Sequence, residues 1–319
     1  MTRYLLADIG GTNARFALFE GGVVGPIEVL QVADHKAAAD AFAVILDRHR
    51  AAGPITAAAI GVAGPVEAGR GVFTNSDWVV DTAQLRAAFG FRSVHVVNDF
   101  EATARSLPRL VPDDLFRLGG RDGQPASPRA VLGPGTGLGV ACLLPGRPSQ
   151  VIATEAGHAT LAATRPRQDA IITWLRTRFD HVSAERVLSG NGLVNLHEAV
   201  AALDGGNIPS HDAPTITGST ADGGCAACRE ALDLFCGWLG AVAGNLALSF
   251  GARGGVYIAG GIAPRIVGHL ARSDFRDQFE AKGRFRDYLV AVPAAVIMRP
   301  DAAFIGLASL VEEAGAAPP

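Results

Sequence analysis

The chain has 319 residues, 49% of them hydrophobic, and a formal net charge of −3. That length suits two domains with a sizeable buried core, and no stretch gathers Lys and Arg into the basic face that a nucleic-acid partner requires. Four cysteines in so long a chain point to a reducing, cytoplasmic setting rather than a disulfide scaffold, and Asp8 interrupts the first apolar run too early for a secretory leader.

In chain order, strands are expected at residues 4–7, 15–19 and 27–32, then a helix over 37–50 whose Phe42, Ile45 and Leu46 share one face. Residues 56–62 are apolar almost throughout, the mark of a strand buried on both faces. Asp81 reads as the N-cap of a helix to residue 89; a strand at 94–97 and a helix starting at 99–106 follow. After a polar, Gly- and Pro-rich connector at 112–129 the pattern restarts, with strands at 130–132, 138–144 and 151–154. Helices are expected at 169–179, 184–188, 193–203 and 226–250. A strand at 255–259, a helix after Pro264, a strand at 294–298 and a terminal helix over 302–313 complete the copy. The terminal helix needs an apolar partner for Phe304, Ile305, Leu307 and Leu310. The chain thus reads as a βββαβαβα unit used twice, with insertions in the second copy. Residues 234–252 run 19 positions without a charge, enough to span a bilayer. Asn245, Ser249 and four glycines dilute the stretch, however, and a strand pattern follows. It is read as a buried core helix, and no membrane partner is expected.

Two glycine-rich turns carry the chemistry: Asp8-Ile9-Gly10-Gly11-Thr12-Asn13 and Gly133-Pro134-Gly135-Thr136-Gly137-Leu138-Gly139. Each joins two short apolar strands, so each is either a plain hairpin turn or a turn whose unshielded amides cradle a phosphate. Thr12 and Thr136 would add hydroxyl donors. Gly260-Gly261 supplies a third turn of the same kind, after a strand and before a helix. Neither loop is a Walker A or dinucleotide fingerprint, because G-K-[ST] is missing and a strand rather than a helix follows. An acid beside phosphate is repulsive unless a cation stands between them, so Asp8 implies Mg²⁺ held through water.

Asn98-Asp99 follows a buried strand and opens a helix, where ligands collect in open α/β sheets and where helix caps are also favoured. In the chemical reading Asp99 takes the proton of a substrate hydroxyl as it attacks a phosphorus. Glu155-Ala156-Gly157-His158 follows another strand, and Glu185 starts a helix, where an acid is favoured by the dipole alone. Joined into one pocket, Asn98, Asp99, Glu155, His158 and Glu185 would suit a polyol or sugar, whose adjacent hydroxyls are paired donors. Cys225 and Cys228 form a lone C-x-x-C. Zinc would need two further ligands at sensible spacing and none is evident, so the pair reads as two small residues at a helix start.

These motifs resemble the bacterial glucokinase family of the hexokinase/actin-like ATPase superfamily. The matching stretches continue Asp8–Asn13 through Ala14-Arg15 and include Phe73-Thr74-Asn75-Ser76-Asp77-Trp78, Asn98-Asp99-Phe100, Gly135-Thr136-Gly137-Leu138-Gly139, Glu155-Ala156-Gly157-His158, Ala184-Glu185-Arg186-Val187-Leu188-Ser189-Gly190 and Gly254-Gly255-Val256-Tyr257-Ile258-Ala259-Gly260-Gly261-Ile262. The resemblance implies a two-domain actin-like (ribonuclease H-like) α/β fold with an interdomain cleft, divided as 1–109 plus 299–319 against 110–298. It implies ATP-dependent phosphorylation of glucose at the 6-hydroxyl, with Asp99 as base and Asn98, Asp99, Glu155, His158 and Glu185 on the sugar. Asp8, Gly10, Gly11, Thr12, Asn13, Gly135, Thr136, Gly137, Gly260 and Gly261 would serve ATP and Mg²⁺, and Asn75 would line the sugar site. Another hexose, or a non-catalytic sugar sensor, is the alternative. A homodimer is implied by the resemblance alone. Related kinases and repressors of the broader group carry a cysteine-rich zinc motif just after the Glu-x-Gly-His element. Residues 159–168 contain no cysteine, so no structural zinc is expected, and the first strand begins too early for the repressors' DNA-binding domain.

Overall fold

The computed structural model describes residues 3–73, 77–146, 148–205, 209–219 and 225–316. Two compact units emerge: Met1–Leu110 with Gly146–Ala153 and Arg299–Pro319, and Val111–Pro145 with Thr154–Met298.

The first unit is built on a sheet of β1 (Tyr4–Ile9), β2 (Asn13–Glu20), β3 (Val23–Val24) and β4 (Glu28–Gln31), followed by helix α1 (Ala38–Arg48) and β5 (Ala57–Val62). A small ribbon comes next: β6 (Val66–Glu67), β7 (Arg70–Val72) and β8 (Val79–Asp81). Then follow α2 (Thr82–Phe89), β9 (Ser93–Asn98) and α3 (Asp99–Ser106). The sheet order is β3-β2-β1-β5-β9, with β4 also paired to β2. As its composition predicts, β5 is buried at every position. Asp81 caps α2, its Oδ1 accepting from the amides of Ala83 (2.8 Å) and Gln84 (3.0 Å), and Gly90 ends the helix at φ +70°. One face of the sheet packs Phe16, Phe42, Ile45 and Trp78 into a core, where the rings of Phe16 and Phe42 meet edge-on at 5.2 Å. Each such side chain contributes roughly 1.5–3 kcal/mol by leaving water. The ribbon at 66–81 was not expected from sequence; its strands are too short to show a period.

The second unit repeats the plan. Its elements are β10 (Leu115–Gly119), β11 (Arg129–Pro134), β12 (Leu138–Leu144), α4 (Pro166–Leu175), α5 (Gly190–Leu203), α6 (Ala213–Gly218), α7 (Ala226–Ser249), β14 (Gly255–Ile258), α8 (Val267–Leu270), α9 (Phe275–Glu280), α10 (Arg286–Ala291) and β15 (Ala294–Ile297); between β12 and α4 the chain forms β13 (Gln150–Thr154), of which only Thr154 falls in this unit. The sheet runs β10-β15-β14-β11-β12-β13. In both sheets an antiparallel hairpin (β1/β2, β11/β12) is followed by two parallel strands (β5 and β9, β14 and β15), which is the duplication seen in the sequence pattern. The expected connector at 112–129 contains the edge strand β10, antiparallel to β15 with a bulge before Gly119. The expected helix at 184–188 is only a 3-10 turn, Ala184–Arg186. The expected helix after Pro264 is broken into three short ones, α8, α9 and α10.

Helix α7 is the apolar stretch, and 72% of its most hydrophobic window is buried. Its glycines are spacers: a Cβ on Gly240 would lie 2.0 Å from the Phe275 carbonyl oxygen, and one on Gly244 would lie 2.3 Å from that of Phe279. The two glycines thus let α9 lie directly on α7. Finally α11 (Ala302–Ala316) supplies Phe304, Leu307, Ala308 and Val311 to the other face of the first sheet, against Leu6, Ala59, Val97 and Ala102. These are the apolar partners that Phe304 and Leu307 required.

Candidate active site

In the first unit, the described site residues lie at the carboxyl edge of the parallel strands, where Ile9, Val62 and Asn98 stand in one register row. Gly10-Gly11-Thr12 is the turn of the β1/β2 hairpin; it closes on a bond from the Gly10 amide to the Asn13 carbonyl (2.9 Å). Asp8 is not in the turn. It lies within β1 directly opposite Arg15 of β2, whose Nη1 reaches its Oδ2 at 3.2 Å. Burial pushes the Asp8 carboxyl above its ordinary range, and the Arg15 guanidinium only partly pulls it back. A partly exposed carboxylate beside the glycine turn is the kind of oxygen donor that Mg²⁺ takes through water. The sequence reading gave Arg15 no role. The signal was available, because a turn that pairs Ile9 with Ala14 must set Asp8 against Arg15.

Asn98 and Asp99 end β9 and open α3. Asn98 is the helix cap, with Oδ1 accepting from the amides of Phe100 (2.8 Å) and Glu101 (3.3 Å) and Nδ2 donating to the Gly64 carbonyl (3.1 Å). Asp99 begins the helix, and its Oδ1 accepts from the Phe100 amide at 2.9 Å. Asn75 lies outside the described residues.

In the second unit Gly135-Thr136-Gly137 is the turn between β11 and β12, closed by the Gly135 amide on the Gly137 carbonyl (2.9 Å). Gly260 packs against it: at φ +80°, a Cβ there would lie 2.4 Å from the Pro134 carbonyl oxygen. The two turns therefore sit side by side. Glu185 is tied to the same place, because its Oε2 accepts from the Leu138 amide at 2.8 Å. His158 stands between the two acids, Nδ1 3.9 Å from Glu185 Oε1 and Nε2 4.0 Å from Glu155 Oε2. Gly157 allows this, since any side chain there would strike the Leu138 carbonyl. Glu155, His158 and Glu185 are thus together, with the first two exposed and the third half-buried.

Beside Thr136 opens a cavity of ≈ 360 Å³, lined by Gly135, Asn191, Asp212, Pro214, Ile262 and Arg265 among others. Asn191, Asp212 and Arg265 had no place in the sequence reading, because nothing in their spacing joins them. The expectation that Cys225 and Cys228 lack further metal-ligating neighbours is corrected: the fold brings His197 and His211 to them.

A profile of the glucokinase family matches residues 5–314. A glucokinase of Paramagnetospirillum magneticum is 48% identical over 97% of both chains, and one of Aromatoleum aromaticum is 45% identical over 97% of this chain and 95% of its own. The crystal structure of a glucokinase from an Antarctic psychrotroph superposes with a TM-score of 0.88 at 36% identity, covering 98% of this chain and 99% of that one. With the hairpin turns, the two-sheet α/β plan and the acid–histidine group already in place, these full-length similarities establish that the chain belongs to the glucokinase family.

Proposed function

We propose that this chain is an ATP-dependent glucokinase, transferring the γ-phosphoryl group of ATP to the 6-hydroxyl of glucose. The observation that carries the reading is the bond from the Leu138 amide to Glu185. It couples a glycine turn fit for phosphate to an acid fit for sugar hydroxyls. Glu155, His158 and Glu185 bind adjacent hydroxyls as acceptors, and a molecule lacking those hydroxyls leaves them unpaired. Asp99 accepts the proton of the 6-hydroxyl as the new O–P bond forms and ADP departs. Asn98 holds the start of α3 in place and offers its second amide hydrogen to the sugar. The turns at Gly10–Asn13, Gly135–Gly137 and Gly260–Gly261 receive the phosphates, and the cavity by Thr136 has the volume for the nucleoside. Asp8 would hold Mg²⁺ through water, and that ion would supply charge neutralisation at the transferring phosphoryl group. The rest of the rate gain is positioning.

Four free cysteines support a reducing, cytoplasmic setting, and a homodimer is the assembly the family resemblance implies. The test is a coupled ADP-release assay over a panel of hexoses and phosphoryl donors. Glucose with ATP should give the highest kcat/KM. A higher value for fructose, mannose or an N-acetyl hexosamine overturns the substrate, and ADP release with no sugar dependence overturns the reading.

A further inference from the structure

Away from the residues assigned to sugar and phosphate, the fold gathers a second group of chemically able side chains. Cys225 caps α7 and Cys228 lies in its first turn. His197 comes from α5, and His211 immediately precedes Asp212, the N-cap of α6. One ligand atom from each of the four lies within 4.8 Å of the others. A tetrahedral zinc ion, with sulfur near 2.3 Å and nitrogen near 2.1 Å, spaces its ligand atoms about 3.4–3.8 Å apart. The cluster is therefore close to the size needed to surround one ion.

His197 supplies an independent sign. It is fully buried, its Nδ1 has no hydrogen-bond partner among the described residues, and its Nε2 meets the Cys225 sulfur at 4.0 Å. A buried imidazole in that condition is costly, and ligation of a ring nitrogen by a cation offsets the cost. The His211 ring centroid lies 5.1 Å from that of His197, so both imidazoles converge on the cysteine pair. Cys225 sits at the positive end of a 24-residue helix, where a thiolate is favoured.

We propose that His197, His211, Cys225 and Cys228 hold a structural zinc ion. The two-sulfur, two-nitrogen donor set suits zinc in a closed tetrahedron. The ion ties together α5, α6 and α7, three helices that meet at this point, and so fixes Asp212, Pro214 and Thr217 of the cavity wall. The site stands whether or not the chain phosphorylates glucose.

The test uses the full chain, purified under reducing conditions without a metal-affinity step. Elemental analysis should find about one zinc per chain. Replacing zinc with Co²⁺ should give the intense visible bands of a tetrahedral site and thiolate-to-cobalt charge transfer. Both signals should vanish in a Cys225→Ser/Cys228→Ser variant and persist in Cys142→Ala, whose buried thiol lies in β12. A strong chelator should lower the wild-type Tm by several degrees and leave the double variant's Tm unmoved. Protein that carries no zinc and develops no tetrahedral cobalt spectrum overturns the proposal, and so does a spectrum that survives loss of both cysteines. The wild-type cobalt titration decides the matter even if the double variant does not fold.

Discussion

Replacing Gly137 with alanine probes the coupling between the second glycine turn and Glu185, the acid proposed to bind sugar. Gly137 does not need a positive φ, so the backbone accepts the change. The added Cβ would fall 2.5 Å from Glu185 Oε2, whereas ordinary contact begins near 3.4 Å; the carboxylate must retreat by the difference, about 0.9 Å. Its 2.8 Å bond from the Leu138 amide cannot survive that movement. A reacting-site group displaced by about 1 Å costs up to about 10²-fold in rate, and the lost bond to a charged group alone corresponds to about 1.5–3 kcal/mol. Gly137→Ala should therefore lower kcat/KM for glucose about 10- to 100-fold, and the lost bond should also lower stability, by about 1.5–3 kcal/mol at most. Steady-state kinetics with glucose varied at saturating ATP measures this. In a Glu185→Gln background the same methyl should add little, because the two substitutions act on one contact. A wild-type glucose kcat/KM in Gly137→Ala would refute the reasoning, as would losses that simply add in the double variant.

Arg15→Met removes the group that holds the Asp8 carboxyl down, leaving burial to raise it further. In the role proposed for Asp8 the ionised carboxylate is the active form, so the acidic limb of the MgATP kcat/KM profile should move to higher pH, and an unmoved limb would contradict that role. Asn98→Ala should cost about 1 kcal/mol through the lost helix cap, read by urea denaturation. Asn98→Asp should keep the cap but lose the donor to the Gly64 carbonyl, costing about 1–3 kcal/mol, and should also raise the glucose KM; if both variants lose stability with the glucose KM unchanged, Asn98 serves only α3. Gly306→Ala places a Cβ 1.7 Å from the Ala102 carbonyl oxygen, forcing α11 off α3. It should cost at least about 3 kcal/mol, while Gly218→Ala, with open space around it, should change stability by less than about 0.5 kcal/mol.

Local chemistry was legible wherever one stretch of chain decides it. The unbroken apolarity of β5, the Asp81 cap and both glycine hairpins were readable because each depends on neighbours in sequence. Strand β10 was not, because its pairing partner β15 lies at the far end of the unit and its own residues alternate poorly. The acid group was half legible: Glu155 and His158 share a turn, but the Leu138 amide that holds Glu185 lies 47 residues before it. Their joining into one sugar-suited pocket was read from residue chemistry, and their assignment to glucose rested on resemblance. The imidazoles facing Cys225 and Cys228 escaped notice for the same reason. His197 precedes Cys225 by 28 residues and belongs to another helix, so no local spacing announces the cluster.

The central claim is that Asp99 delivers the 6-hydroxyl of glucose to the γ-phosphorus of ATP. Its most direct test compares glucose turnover by wild type and Asp99→Asn, with glucose binding measured alongside by calorimetry. Removing a positioned base should lower kcat by about 10²- to 10⁴-fold while glucose still binds. Turnover at the wild-type rate in Asp99→Asn would contradict the account.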